Sequence, residues 1–312
     1  MESSRARRHR VPLLHLALAS VVVVGGTAAG TVYVQAQAHP REAAVSSSAT
    51  PSATPSVVAA SGEASVEPVT RPTVDRAALL ADAMESVSVP DGAEVSVAVL
   101  DMDSGESATY GDGSFDTASI VKVDILAALL LQAQDAGRGL TAAEKSYATA
   151  MIENSDNAST SALWETIGRA EGLAAANERL GLTATEGGEG MLWGLTQTTA
   201  ADQLTLLQQV FDDESELSEA SRAYVRGLMG RIAVDQRWGV SAVADGSEWA
   251  LKNGWLPRST TGLWDINSIG RVTADGREYL VAVLSDGHTT KAAGVALVEA
   301  AARAAVSVFA GD

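Results

Sequence analysis

Hydrophobic and polar positions divide the chain into three stretches. From Val11 to Val34 runs an uncharged and mostly apolar segment of 24 residues. Residues 39–72, with SSSATPSATPSVVAASGEASVEPVTRP, are rich in Ser, Ala, Thr and Pro and lack aromatic residues. From residue 73 onward, apolar residues recur at helical or strand spacing. TVDRAALLADAMESV predicts a helix with Thr73 as its N-cap, and EVSVAVLDMDSGESATYGDG predicts two strands joined by a DSG turn. From Thr117 to about Val210 the pattern is helical, with breaks at AGRG, NSDN, GLTATEGGEG and before Thr198. A further helix follows around residues 220–232. The chain then returns to strands in EWALKNGW, DINSIGRVTADG and REYLVAVLSDG, and KAAGVALVEAAARAAVSVFA closes it as a long helix. Strands at both ends of a helical insert predict one sheet completed by distant segments, with the insert as a second lobe.

The basic RARRHR before the apolar run keeps that end cytoplasmic, and the length of the run suffices to span a bilayer. AQA at residues 36–38 also offers a small-residue cleavage site. Residues 1–38 are therefore expected to be a membrane anchor or a signal peptide, and 39–72 a disordered tether. Residues 73–312 are expected to be a monomeric soluble domain facing the outside of the membrane.

Charge and composition narrow the chemistry. The formal net charge of the 312 residues is -17, and residues 73–312 alone carry -19, which excludes a basic footprint for nucleic acid. There is no cysteine, so thiolate catalysis, disulfides and Cys-based metal sites are ruled out. His288 is the only histidine of the body, it sits in SDGHTTK, and it is expected to be a solvated turn residue. No G-x-S-x-G elbow accompanies it, which argues against a Ser-His-Asp triad. No histidine pair has metal-ligand spacing, and DMDSGE lacks the ligands of a calcium loop, so no metal or cofactor is expected.

One lysine is out of place. TASIVKVDILAALLL reads as a buried helix, yet Lys122 follows Ser119 by three residues, on the same helical face. A buried ammonium costs several kcal/mol unless it is paired or its pKa falls. Asp124, inside the same apolar helix, is expected to pair with a nearby Arg or Lys.

Three short motifs fall in order: SIVK at 119–122, SDN at 155–157 and KNG at 252–254. Together they resemble the S-x-x-K, S-D-N, K-T-G pattern of the class A β-lactamase-like family of penicillin-recognising serine hydrolases. The resemblance runs from about residue 73 to the C-terminus. It implies an α+β two-lobe fold, with an antiparallel sheet flanked by helices beside an all-helical lobe.

The resemblance also implies roles. Ser119 is the nucleophile and Lys122 its base, while Ser155 relays a proton to the leaving nitrogen. Asn157 holds the substrate amide, and Asp156 buttresses its loop. Lys252 makes the cleft positive for the carboxylate of a β-lactam or a D-Ala-D-Ala-like peptide. Gly254 belongs to the same motif, and the backbone N–H groups of Ser119 and Trp255 are the expected oxyanion donors.

The sequence departs from that pattern in three places. Asn253 stands where the family has Thr or Ser, and Arg258 to Thr260 is the nearest replacement for carboxylate recognition. EGMLW at 189–193 matches E-x-x-L-N only in part; it offers Glu189 as deacylating base, with Glu186 as a fallback, and puts Trp193 in place of the asparagine. The stretch between SIVK and SDN is compact, which predicts a more open cleft. The leading expectation is an exported serine hydrolase of the β-lactamase type. The alternatives are a peptidoglycan D,D-peptidase with slow deacylation and a silent wall-binding module.

Overall fold

Distant segments of the described residues meet in one sheet. The computed structural model describes residues 74–246 and 248–310. The expected membrane segment and tether lie outside the described residues. Among the described residues no helix is long and apolar enough to cross a membrane.

Helix α1 (Arg76–Met84) is followed by strands β1 (Glu94–Asp101) and β2 (Ser107–Tyr110), the predicted hairpin. Its N-cap is Asp75, whose side chain accepts from the N–H of Ala78 at 3.0 Å; the expected cap, Thr73, lies outside the described residues. The helical insert holds α2 (Val121–Asp135), α3 (Ala142–Glu153), α4 (Asn157–Ile167), α5 (Arg169–Leu180), α6 (Ala200–Phe211) and α7 (Glu219–Met229). Gly168, at φ 96°, adds a break between α4 and α5 that the apolar spacing does not signal. A two-residue pair of β3 (Phe115–Asp116) and β4 (Gln197–Thr198) ties the start of the insert to the stretch before α6. The chain returns through β5 (Trp249–Pro257), β6 (Trp264–Ala274) and β7 (Arg277–His288) to α8 (Lys291–Ser307).

The five-stranded sheet is antiparallel, in the order β2-β1-β7-β6-β5. β1 lies against β7, so the first and last strands share the centre and β5 is left at an edge. Strand alternation divides the apolar residues between two cores. Ala98, Leu100, Ala250, Ile269, Leu280 and Ala282 face the helical insert. Val97, Val99, Leu251, Val272, Val281 and Val283 face α1 and α8. Within the insert α2 is buried on nearly every side, the environment its uninterrupted apolar sequence demands.

His288 corrects an expectation. It ends β7 opposite Trp264, is 1% exposed, and its Nε2 lies 2.9 Å from Ser285 Oγ. Burial holds its imidazole below the ordinary histidine range. Asp124 corrects another: among the described residues no Arg or Lys pairs with it. With the amide nitrogen of Asn177 turned toward it, that group donates to Asp124 Oδ1 at 2.9 Å. Burial pushes the Asp124 carboxyl up to about 8, the Asn177 hydrogen bond opposes this, and the charge of Asp202 adds to it.

Candidate active site

Ser119 lies in a short helical turn, Ala118–Ile120, that leads into α2. The turn is held by three hydrogen bonds from two partners. Thr117 donates its N–H to Thr196 O at 2.8 Å, and Asn267 Nδ2 on β6 donates to Asp116 O at 2.8 Å and Thr117 O at 3.1 Å. Asn267 is itself fixed, since its Oδ1 accepts from Ser285 N at 3.1 Å. Ala118 sits at φ 48° and Ser155 at φ 55°, left-handed conformations that non-glycine residues rarely adopt. Strain of this kind persists where surrounding structure over-determines it; two of the four such residues among those described, Ala118 and Ser155, fall beside or within the motifs, while Arg169 and Asp275 lie elsewhere.

β5 runs along this turn. Strand parity puts Ala250, Lys252 and Gly254 on the face toward the insert, and Leu251, Asn253 and Trp255 on the face toward α8. A Cβ at Gly254 would stand 2.7 Å from Thr117 O, 2.9 Å from Ser119 N and 3.0 Å from Ile120 N. Only glycine lets the strand approach the nucleophile's backbone so closely. Because β5 is an edge strand, every second N–H points away from β6.

Lys122 and Lys252 are both fully buried, and they meet at one hydroxyl. Lys122 Nζ donates to Ser155 Oγ at 2.9 Å, Ser155 O at 2.8 Å and Asn157 Oδ1 at 2.9 Å. Lys252 Nζ donates to Ser155 Oγ at 3.2 Å and to Asn253 O at 2.8 Å. Burial lowers the Lys122 ammonium to about 7, with the charge of Asp156 opposing. Lys252 is driven well below the ordinary lysine range by burial and then by the Lys122 charge. Asp156 caps α4, accepting from Ser159 N at 2.7 Å, and this hydrogen bonding holds its carboxyl low.

A pocket of about 410 Å³ opens at Ser119. Its rim is largely apolar, with Met191, Leu192, Trp193, Leu195, Trp255 and Leu256 facing Asn157 and Ser161. The Trp193 ring centroid lies 5.0 Å from Lys122 Nζ, and its Nε1 donates to Ser161 Oγ at 3.2 Å. The loop carrying Trp193 is closed at its base by paired backbone hydrogen bonds between Glu186 and Gln197 and anchored by Trp164 Nε1 on Gly190 O.

The structure thus gathers Ser119, Lys122, Ser155, Asn157, Lys252, Gly254 and Trp255 around one cleft. It does not bring in the rest. Asn253 is fully buried, and its amide donates to Gln236 O at 2.7 Å and Trp238 O at 2.9 Å, leaving no donor for a carboxylate. Arg258 is paired with Asp116 and Asp265, so it is not a free replacement. Glu186 and Glu189 are exposed, and among the described residues neither carboxylate hydrogen-bonds to Ser119 or Lys122. Sequence reasoning missed Asn267, which no short motif marks, and the stacking of Trp193 on Lys122. Among the described residues no cluster of three His, Asp or Glu is placed to hold a metal ion.

Solved structures share the fold, among them the following three. The chain is 23% identical to a mutant of PBP-A solved as an acyl-enzyme complex with penicillin G, at TM-score 0.64 over 74% of this chain and 96% of that one. It is 15% identical to the TLA-1 extended-spectrum beta-lactamase, at TM-score 0.64 over 75% and 98%. A class A beta-lactamase representative from Bacteroides cellulosilyticus is 16% identical, at TM-score 0.64 over 77% and 100%. No curated protein matches the sequence. The sequence profile of the beta-lactamase enzyme family matches residues 139–309, a span that takes in Ser155, Asn157 and Lys252 but begins after Ser119. More than half of the chain lies in that match, and the protein belongs to the beta-lactamase enzyme family.

Proposed function

We propose that this protein is an exported serine hydrolase that opens β-lactam amide bonds by forming an acyl-enzyme on Ser119. The observation that carries the proposal is the meeting of Lys122 and Lys252 at the Ser155 hydroxyl beside the Ser119 turn. A serine hydroxyl needs a base to become nucleophilic, and an amine with a pKa near 7 is in the working range. When Lys122 is neutral, it gives up one of its three hydrogen bonds and its lone pair accepts the Ser119 proton, directly or through a water. The Ser119 oxygen then bonds to the lactam carbonyl carbon, and the oxyanion rests on the N–H groups of Ser119 and Trp255. The C–N bond breaks as the Ser155 hydroxyl protonates the nitrogen and is reprotonated from Lys122. The ring opens, so nothing leaves, and the acyl group stays on the serine.

Water must then cleave the ester. A second reading, a D,D-peptidase with slow deacylation, is favoured by the exposure of Glu189 and Glu186 and by the indole of Trp193 lying on Lys122. The apolar rim of the pocket suits a substrate with an apolar acyl side chain in either case.

Intact-mass spectrometry after a brief exposure to benzylpenicillin separates the readings. An adduct that decays within seconds, with turnover of a chromogenic cephalosporin, supports a working β-lactamase. An adduct that persists for an hour supports the peptidase. The absence of any adduct on folded protein would defeat both.

A further inference from the structure

Lys122 holds a charge with little around it to balance that charge. Its hydrogen bonds go to Ser155 O, Ser155 Oγ and Asn157 Oδ1, all neutral acceptors, and among the described residues it forms no ion pair. Two charged groups face it from other elements. Asp156, at the start of α4, attracts the ammonium through space, while Lys252 on β5 repels it across the shared Ser155 hydroxyl. The other carboxylates are engaged elsewhere. Asp124, on the same helix, faces the Asn177 amide, and Glu186 and Glu189 are exposed and among the described residues make no hydrogen bond to Lys122.

Trp193 supplies the missing negative potential. Its ring centroid lies 5.0 Å from Lys122 Nζ, within the distance at which the face of an indole attracts a cation. A neutral amine feels no such pull. The ring is fixed by its Nε1, which donates to Ser161 Oγ at 3.2 Å, and Ser161 lies four residues after Asn157 on α4. One face of α4 therefore holds both the ammonium and the ring that covers it. The backbone around Trp193 is closed as well, since Leu195 N donates to Leu192 O at 2.8 Å and Thr196 N to Trp193 O at 3.2 Å. Trp193 also lines the Ser119 pocket, so it touches the base and the substrate's space at once.

We propose that Trp193 is a positioning residue for the base: its indole holds Lys122 as an ammonium on the SDN segment, off Ser119, and so sets the pH at which the free amine becomes available. This rests on the reading that Ser119 is acylated with Lys122 as its base. The ammonium gives its proton to water, and the attraction of the ring is lost with the charge. That attraction raises the pH at which Lys122 discharges, whereas the bulk of the ring, by burial, lowers it.

The test keeps the shape of the ring and weakens its face. In the full chain Trp193 is replaced by tryptophans bearing one, two or three ring fluorines, which withdraw electron density from the face at nearly constant volume. Two curves are followed against pH: the Cε NMR shift of Lys122 in isotope-labelled protein, where the sequence has only four lysines to resolve, and the rate constant of acylation by benzylpenicillin. Both midpoints are expected to fall stepwise from about 7, by about half a pH unit with three fluorines, so that acylation below the midpoint becomes about threefold faster. Midpoints that stay fixed or rise would reduce Trp193 to a wall of the pocket and overturn the proposal, as would a change in rate that is the same at every pH. Acylation of the unaltered chain together with an unmoved Lys122 midpoint would overturn this proposal alone. No acylation of the unaltered chain would overturn the Ser119 reading, and this proposal with it.

Discussion

Lys122 donates to the Ser155 hydroxyl at 2.9 Å, and among the described residues it makes no hydrogen bond to Ser119, one helical turn before it. The ammonium in this state is fully committed to acceptors on the SDN segment. Losing its proton frees a lone pair next to the nucleophile's turn, so the protonation state of Lys122 gates the chemistry. The acylation rate is expected to rise with pH through about 7, because the working form is the neutral amine. Lys122→Ala should lower the rate by about a hundredfold or more. A pH profile that is flat between about 6 and 8 would show that another group governs the step.

Gly254 carries the second prediction. The three atoms that a Cβ would meet within 3.0 Å all belong to the backbone of the Ser119 turn, so no side chain can swing aside. Gly254→Ala is expected to push the strand off the turn. It should cost about 1–3 kcal/mol in thermal unfolding and slow acylation by about tenfold or more. Unchanged rates would mean that the approach of β5 to Ser119 plays no part in forming the oxyanion site.

Asp124 sets a pH dependence of stability. Its folded pKa of about 8 lies above its ordinary value of 3.8. The folded state therefore holds the proton more tightly, and stability is fully present below the ordinary value and lost as pH rises toward 8. Asp124→Asn removes that penalty. Between about pH 5 and pH 7 the unfolding temperature of the variant should fall less than that of the unaltered chain. Parallel curves would contradict the assignment.

The exposed loop glutamates give the fourth. Glu189→Gln is expected to leave the lifetime of the acyl-enzyme within about twofold, since among the described residues its carboxylate makes no hydrogen bond to the site. A tenfold longer lifetime, followed by mass spectrometry, would restore Glu189 as the deacylating base.

Much of the site is legible in the sequence because its parts are local. Ser119 and Lys122 share a helical turn, SDN opens a helix, and KNG sits in one strand, so each motif survives as a short string. The order of strands and helices is legible for the same reason, since each element shows its own period. Long-range consequences are hidden. Nothing in DINSIG says that Asn267 will reach the backbone before Ser119, because that contact spans about 150 positions of sequence. The motif position of Asn253 does not give the face of the strand, and parity turns its side chain toward α8. The neighbours of His288 suggest a solvated turn, whereas the pairing of β6 with β7 carries it into the core. Asp124 calls for a cation, and the fold answers with an amide and with protonation.

The central claim is that Ser119 takes the acyl group, and mapping the attachment tests it most directly. The full chain is exposed to benzylpenicillin, quenched, digested, and sequenced by tandem mass spectrometry, beside Ser119→Ala and Lys122→Ala. The account predicts a penicilloyl group on Ser119 alone, absent from Ser119→Ala and formed slowly in Lys122→Ala. A penicilloyl group on any other residue, or an adduct that survives in Ser119→Ala, would contradict it.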